Sequence, residues 1–390
     1  MGTPVIVAAR RTPIGKFFGS LARVPAPVLG SYAIKAVLED APGAKEHVEA
    51  CFMGNVLQAG LGQNPARQAG LKAGLADTLN AVTVNKVCGS GLEAVMQAAT
   101  MIRVGDAECA VAGGMENMDL APHLAQVRAG IKYGDGKLVD HMANDGLTCA
   151  FECWPMGNAA EHTASTSGVT RAAQDAFSVE SHRRAAEATK NGWFKKEMVA
   201  LTPEQCMGKT GLDADEGFRA DSSVDALAKL RPAFSKEGTV TAGNASQISD
   251  GAAAVLVMSE AKAKALGLTP LARIVGYGTA GVAPKELFIA PKVGIAALLA
   301  KHGLAVKDID LFEINEAFAA QVLACSGPLG IPADRLNICG GGIALGHPIG
   351  ASGARVLTTL VHQLHRTGGK RGLCSLCLGG GNAVSMIVEV

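Results

Sequence analysis

The order of elements in the first 118 residues recurs in residues 271–390, and this duplication constrains the fold more than any other feature of the chain. In both segments, short β-branched runs alternate with alanine-rich stretches of helical period. In the first, VIVAA (5–9) reads as a buried strand, ACFMGNVLQ (50–58), NAVTVNKV (80–87) and ECAVAGG (108–114) as strands, and residues 28–40 and 90–104 as helices. In the second, ARIVGYGTAG (272–281), IDLFEINEAFAA (309–320), LNICGGG (336–342) and LCSLCLGGGNAVSMIVEV (373–390) take the strand positions, and residues 293–301 and 351–366 the helical ones. Each repeat sets a reactive residue in a glycine-rich turn just before a helix: CGSG at 88–91 and GHPIGASG at 346–353. The pattern predicts an α/β protein with a mostly parallel sheet covered by helices. It also predicts a crevice between two similar halves, at the carboxyl ends of strands.

Residues 119–245 break the pattern, with more charge and more turn residues in DLAPH, KYGDGK, DADEGF and KLRPAF. They read as an inserted loop domain holding one amphipathic helix at 171–190. Core-like patterning returns over about 246–270. The expected division is therefore 1–118 plus about 246–270, then 119–245 as the insert, then 271–390.

Composition narrows the function classes. Hydrophobic residues make up 48% and charged residues 18%, enough apolar surface for a large core. Mean hydropathy is +0.22, yet no run of about 18 apolar residues exists to span a bilayer. A formal net charge of +1 gives no footprint for nucleic acid or a membrane surface. The first residues run straight into VIVAARRTPIG without a basic-then-apolar leader, and VEV at the end matches no lipidation signal. The expectation is a cytoplasmic protein whose ten cysteines are free thiols.

Cys88 follows an apolar strand and precedes a helix, so the positive end of that helix favours its thiolate. A nucleophile and a buried structural cysteine are both open for it. His347 sits in GGGIALGHPIGASGAR, an irregular loop with more backbone freedom than packing requires. An imidazole there is suited to activating a thiol. Cys374 and Cys377 form CSLC inside a strand; at period 2 they face opposite ways, so they are not a redox or metal pair. Cys377, beside the glycines of 379–381, is the one to watch, and Cys374 belongs to the core. Asn315 could polarise a carbonyl or hold a water, or could simply cap a helix. Gly276, Gly278 and Gly281 fit a dinucleotide fingerprint, but Pro284 and Pro291 interrupt the helix it requires. His362 and His365 read as surface residues of a helix.

Seven segments resemble thiolase signatures, in the order that family has them: NKVCGSGLEAV (85–95), GGMENM (113–118), MGNAAEHTA (156–164), TAGNASQISDGAA (241–253), NEAFAAQ (315–321), GGGIALGHPIGASGAR (340–355) and CLGGGNAVSMI (377–387). The stretch 121–151 is most similar to the biosynthetic acetoacetyl-CoA thiolases. The resemblance implies a five-layered α/β/α/β/α fold and reversible Claisen condensation of two acetyl-CoA to acetoacetyl-CoA and CoA. No tightly bound cofactor is implied; the substrates are coenzyme A thioesters. It implies a homotetramer of tight dimers. By the same resemblance Cys88 accepts the acyl group, His347 activates it, Cys377 is the acid/base at the α-carbon, and Asn315 orients a water in one oxyanion hole. The Cys88 and Gly379 N–H groups form the other. Arg219 and Ser246 match contacts to coenzyme A, Phe234, Ala242 and Phe318 match the pantetheine tunnel, and Met156 lies beside the acyl pocket. Short-chain members often carry His just before that Met, where this chain has Pro155.

Three rival readings remain. A degradative 3-ketoacyl-CoA thiolase would use the same residues on a wider chain-length range. A ketoacyl synthase would carry histidine in place of Cys377. A silent binding homologue would not need all of Cys88, His347 and Cys377.

Overall fold

The computed structural model describes residues 2–390. The first half contributes β1 (Pro4–Arg11), α1 (Ala26–Glu39), β2 (Ala50–Gly54), α2 (Pro65–Lys72), β3 (Asn80–Val84), α3 (Ser90–Val104) and β4 (Cys109–Asn117). Helices α4 (Met156–Thr166) and α5 (Arg171–Lys190) follow, and β5 (Ser249–Ser259) returns to the main sheet. The second half contributes β6 (Ala272–Gly281), α6 (Ala290–Lys301), β7 (Leu311–Ile314), α7 (Ala319–Leu329), α8 (Ser352–Thr367), β8 (Arg371–Leu378) and β9 (Asn382–Glu389).

The strands lie in the order β7-β8-β9-β6-β1-β5-β4-β2-β3. The two halves meet where β1 pairs with β6, through Val5–Arg273 and Ile6–Ala272. Five layers result. Helices α1 and α2 cover the outer face of the first half, packing Leu29, Ile34 and Val37 on Met53, Val111 and Leu256. Helices α3 and α8 lie together in the middle, and their Leu92, Val95, Val356 and Leu360 pack on strands of both halves, from Ile6 and Phe52 to Leu376 and Val384. Helices α6 and α7 cover the outer face of the second half, with Ile295, Leu298 and Val322 on Ile314, Leu373 and Ile387. The α/β/α/β/α expectation is met.

The central helices touch backbone to backbone. A Cβ on Gly91 would lie 2.7 Å from the Ala354 nitrogen, and one on Gly353 2.2 Å from the Leu92 nitrogen. Only glycine permits that approach. It holds the starts of α3 and α8 together, and with them the turns that carry Cys88 and His347.

The sheet is not mostly parallel. Strands β2–β3, β2–β4 and β7–β8 pair in parallel. Strands β4–β5, β1–β5, β8–β9 and β6–β9 pair antiparallel. Two connections account for this. The chain reverses from β8 into β9 through Gly380 and Gly381, whose φ values of +86° and +87° suit glycine. After the insert, β5 enters between β1 and β4 and runs against both. A strand buried on both faces is a continuous apolar run in either direction, so its sequence does not disclose the direction. Several boundaries also move: the runs 50–58 and 80–87 are strand only to Gly54 and Val84. The apolar run 309–320 is strand only to Ile314, and 336–342 makes a single bridge, Leu336 to Phe312.

The segment between the halves adds no strand to the main sheet; His123–Leu124 and Val139–Asp140 pair only with each other. It is pinned by Arg11 on β1, a fully buried guanidinium that donates to Glu197 at 2.6 Å and to Asp215 at 2.7 and 2.9 Å. Removing one partner of such a buried group destabilises by about 3–5 kcal/mol. Among the described residues, no helix is long and apolar enough to cross a membrane.

Candidate active site

Cys88 lies in a tight turn between β3 and α3. Ser90 Oγ donates to the Val87 carbonyl at 2.6 Å and accepts the Lys86 N–H at 2.8 Å. The turn forces Val87 to φ +47°, where a β-branched residue is strained by about 1–3 kcal/mol. The sulfur faces Val56, Leu57, Met118 and Ile349, an apolar recess at the junction of the halves.

That recess corrects one expectation. Cys88 precedes the Gly89 N-cap of α3, as the strand-to-helix reading requires. Yet desolvation outweighs the helix end: burial pushes the thiol up to about 12, and the Glu116 charge adds to the rise. Part of the residue's surface is accessible, but the sulfur is enclosed by protein. The resting group is a thiol.

His347 is also neutral. Burial first, and then the Arg355 charge, lower its imidazole to about 3. Its Nδ1 is 2.6 Å from Ser352 Oγ, which lies 2.9 Å from the Pro348 carbonyl. A hydroxyl has one proton. Donated to Pro348, that proton leaves Oγ to accept from Nδ1–H, so this network assigns the free lone pair to Nε2. Asn315 Nδ2 is 3.5 Å from Nδ1 and 3.4 Å from Nε2. Near-equal distances place the amide on the ring face, not in line with either lone pair. Asn315 Oδ1 is buried without a protein donor among the described residues. The residue is not a helix cap, because α7 starts at Ala319 with Phe318 as its N-cap.

Cys374 and Cys377 do face opposite ways. Cys374 packs with Leu376 and Leu378 against the central helices. Cys377 packs with Phe288, Ala317, Phe318 and Met156. Burial raises its thiol well above the ordinary value, and the nearby sulfur of Cys88 adds to the rise. Gly379 lies against Val87, since a Cβ there would be 3.5 Å from Val87 Cγ1. The structure thus sets Cys377 and Gly379 beside the Cys88 turn, and the Asn315–His347 pair joins them through the segments that carry it, with Ile349 packed against Cys88 and Ala317 against Cys377.

The other residues spread outward from this group. Phe318 meets Phe288 and Phe234 edge-on, at centroid distances of 5.2 and 6.4 Å. Ser246 N–H donates to the Ala317 carbonyl at 3.0 Å. Arg219 and Ala242 are exposed and do not join the buried cluster; the Arg219 N–H donates to His182 Nδ1 at 3.1 Å. Gly276, Gly278 and Gly281 lie within β6 rather than in a strand-to-helix turn. His365 is exposed, as expected, and His362 is half-buried; their Nε2 atoms lie 2.7 and 2.9 Å from the carbonyls of Leu271 and Ala9. Sequence reading missed Ser352 and Glu116. Ser352 shows in the sequence only as a serine five residues after His347, and Glu116 only as an acid in an otherwise apolar strand.

Chemically, the cluster offers two thiols, one imidazole with a bare Nε2, one amide and glycine N–H groups in a recess that is largely dry. Such a set suits acyl transfer through a thioester, with proton transfer inside the site.

Comparison with known proteins agrees with this reading. The description "Thiolase, N-terminal domain" matches residues 4–261, and "Thiolase, C-terminal domain" matches residues 268–390. The chain is 54% identical to "Acetyl-CoA acetyltransferase" of Chromobacterium violaceum over 386 residues, 98% of each chain. It is 51% identical to the protein of that name from Escherichia coli K12 over 387 residues, 99% of this chain and 98% of the other. It is 48% identical to that of Shinella zoogloeoides over the full length of both. With two halves, five layers and near-complete matches along its length, the chain belongs to the thiolase family.

Proposed function

We propose that the protein is an acetyl-CoA acetyltransferase that condenses two acetyl-CoA into acetoacetyl-CoA and CoA, reversibly, through acetyl-Cys88. Two observations carry this: the buried thiols of Cys88 and Cys377 act on each other, and the segments that hold the Asn315–His347 pair pack on them, Ile349 against Cys88 and Ala317 against Cys377. The names and extent of its relatives support the same substrate.

The reading gives each proton a place. Cys88 passes its proton to His347 Nε2 as sulfur attacks the thioester carbonyl. The carbonyl oxygen becomes negative beside the Cys88 and Gly379 N–H groups. The C–S bond to CoA breaks, and Cys377 protonates the departing thiolate. Cys377, now a thiolate in a dry site, is a strong base. It takes a proton from the methyl carbon of a second acetyl-CoA. The enolate oxygen is held by the imidazolium of His347 and by a water on Asn315. The carbon attacks acetyl-Cys88, the C–S bond breaks, and His347 returns the proton to Cys88.

Arg219, Ser246, Phe234, Ala242 and Met156 would hold the coenzyme A arm, and residues 119–245 would act as an inserted loop domain. The support for the insert is that it adds no strand to the main sheet. Phe288, Phe318, Met156 and Trp154 crowd Cys377, which favours a short acyl group over the long chains of a degradative enzyme. We infer a homotetramer of tight dimers in the cytoplasm; exposed Val82 on edge strand β3 and exposed Ile131, Tyr133 and Leu138 in the insert fit buried contacts between copies. Sedimentation at one chain mass would refute the assembly.

The test of function is brief exposure to acetyl-CoA followed by peptide mass spectrometry. One acetyl group on Cys88, with acetoacetyl-CoA formed in parallel, is expected. Labelling of another cysteine, or none, would sink the proposal. A second expectation concerns Ser352. In Ser352→Ala the Nδ1 proton loses its acceptor and the tautomer is no longer fixed. Turnover should fall about 10- to 100-fold, with a KM for acetyl-CoA within about twofold of wild type and an altered pH profile. An unchanged profile would show that Ser352 does not set the tautomer.

A further inference from the structure

Gly350 closes the turn that carries His347, and it is gripped by the first half of the molecule. Its carbonyl oxygen lies where side chains at three glycines would otherwise reach. A Cβ on Gly114 would be 2.1 Å from it, one on Gly54 2.6 Å, and one on Gly91 3.0 Å. Its N–H donates to Glu116 Oε2 at 2.8 Å. Glu116 is the last residue but one of β4 and is fully buried. The same carboxylate accepts Val56 N–H at 3.0 Å, Leu57 N–H at 3.1 Å and Asn55 Nδ2 at 2.7 Å. Four donors thus converge on one side chain, three from the turn after β2 and one from the His347 loop. Val56, Leu57 and Ile349, the neighbours of these donors, are walls of the recess that holds Cys88. No residue of the proposed chemistry requires this arrangement for folding alone, since the halves are already joined through β1–β6 and the central helices.

We propose that Glu116 is a positioning residue. Its carboxylate seats the His347 loop of one half against the Cys88 recess of the other, and so sets the imidazole at the height where Nε2 can take the thiol proton. It touches no substrate. It acts through the Gly350 N–H, and a carboxylate is needed because both oxygens must accept two N–H groups at once. An amide in its place turns an NH₂ toward two of those donors, and the loop shifts. This inference rests on the proposed acetyl transfer through Cys88.

The test uses the full-length protein and two rates: turnover with acetyl-CoA, and alkylation of Cys88 by iodoacetamide. In Glu116→Gln both should fall about 10- to 100-fold, the scale of a displacement of about 1 Å at a reacting pair. The KM for acetyl-CoA should stay within about twofold. In a His347→Ala background, Glu116→Gln should slow alkylation no further, because the partner it positions is gone. If Glu116→Gln does not fold, Glu116→Asp keeps the charge but shortens the reach, and the same losses are expected. Equal losses with and without His347 would overturn the proposal. So would a folded variant with wild-type turnover, even with a lowered melting temperature. Wild-type protein separates the two readings. If it fails to acetylate Cys88, the functional reading falls. If it acetylates and Glu116→Gln matches it in rate, only the positioning role falls.

Discussion

Cys88→Ala lowers thiolysis of acetoacetyl-CoA by at least about 10⁴-fold, the scale seen when a covalent nucleophile is deleted from a preorganised site. The change removes one sulfur from the recess and leaves its walls in place, so folding is not expected to suffer. Val56, Leu57, Met118 and Ile349 still pack, and Ser90 still holds the turn. The melting temperature should stay within a few degrees, and CoA should still bind, because the proposed coenzyme A contacts, Arg219 and Ser246, are untouched. Cys88→Ser should be almost as inactive. A hydroxyl in the same recess holds its proton more tightly than a thiol and is the weaker nucleophile. Steady-state thiolysis followed by loss of acetoacetyl-CoA checks both variants. Activity within tenfold of wild type in either would mean that Cys88 carries no acyl group.

Cys377→Ala separates the two halves of the reaction. General acid and base groups contribute about 10²–10⁴-fold each. Condensation of acetyl-CoA should therefore fall by at least the larger figure, since in the proposed reaction this thiol serves once as acid and once as base. Acetylation of Cys88 should slow but still reach one group per chain, because His347 remains to take the Cys88 proton. Exchange of deuterium from solvent into the methyl group of acetyl-CoA should disappear. An acetylated variant that still exchanges those protons would place the base elsewhere. The two expectations are distinct: Cys88→Ala takes no label, whereas Cys377→Ala takes label and stalls.

Much of this was legible before any coordinates. The duplicated order of elements gave the two halves. The turn CGSG and the loop GHPIG marked Cys88 and His347, because each sets a reactive residue among glycines just before a helix; that Gly91 and Gly350 are also packing glycines showed only in the fold. Period 2 in a strand separated Cys374 from Cys377. What stayed hidden had physical causes. Strand direction was hidden because a doubly buried strand has no amphipathic signature, so β5 and β9 could not be told from parallel neighbours. The ionisation of Cys88 was misread because a helix end is visible in sequence, whereas the recess of Val56, Leu57, Met118 and Ile349 is assembled from three distant segments. Asn315 could not be distinguished from a cap until α7 was seen to begin four residues later. Ser352 and Glu116 act through atoms far along the chain or through backbone groups, and no spacing announces such contacts.

The glycine contact between α3 and α8 has a consequence for how the molecule can be taken apart. Where Gly91 meets Gly353, there is no side-chain layer to slide or rearrange. A single added methyl would drive a wedge under both reactive turns at once, and a chain cut between its repeats would leave two pieces, each with a bare backbone groove and half a reaction centre. Chemistry and docking of the repeats are therefore one event, and inactivation by heat or denaturant should begin at that seam.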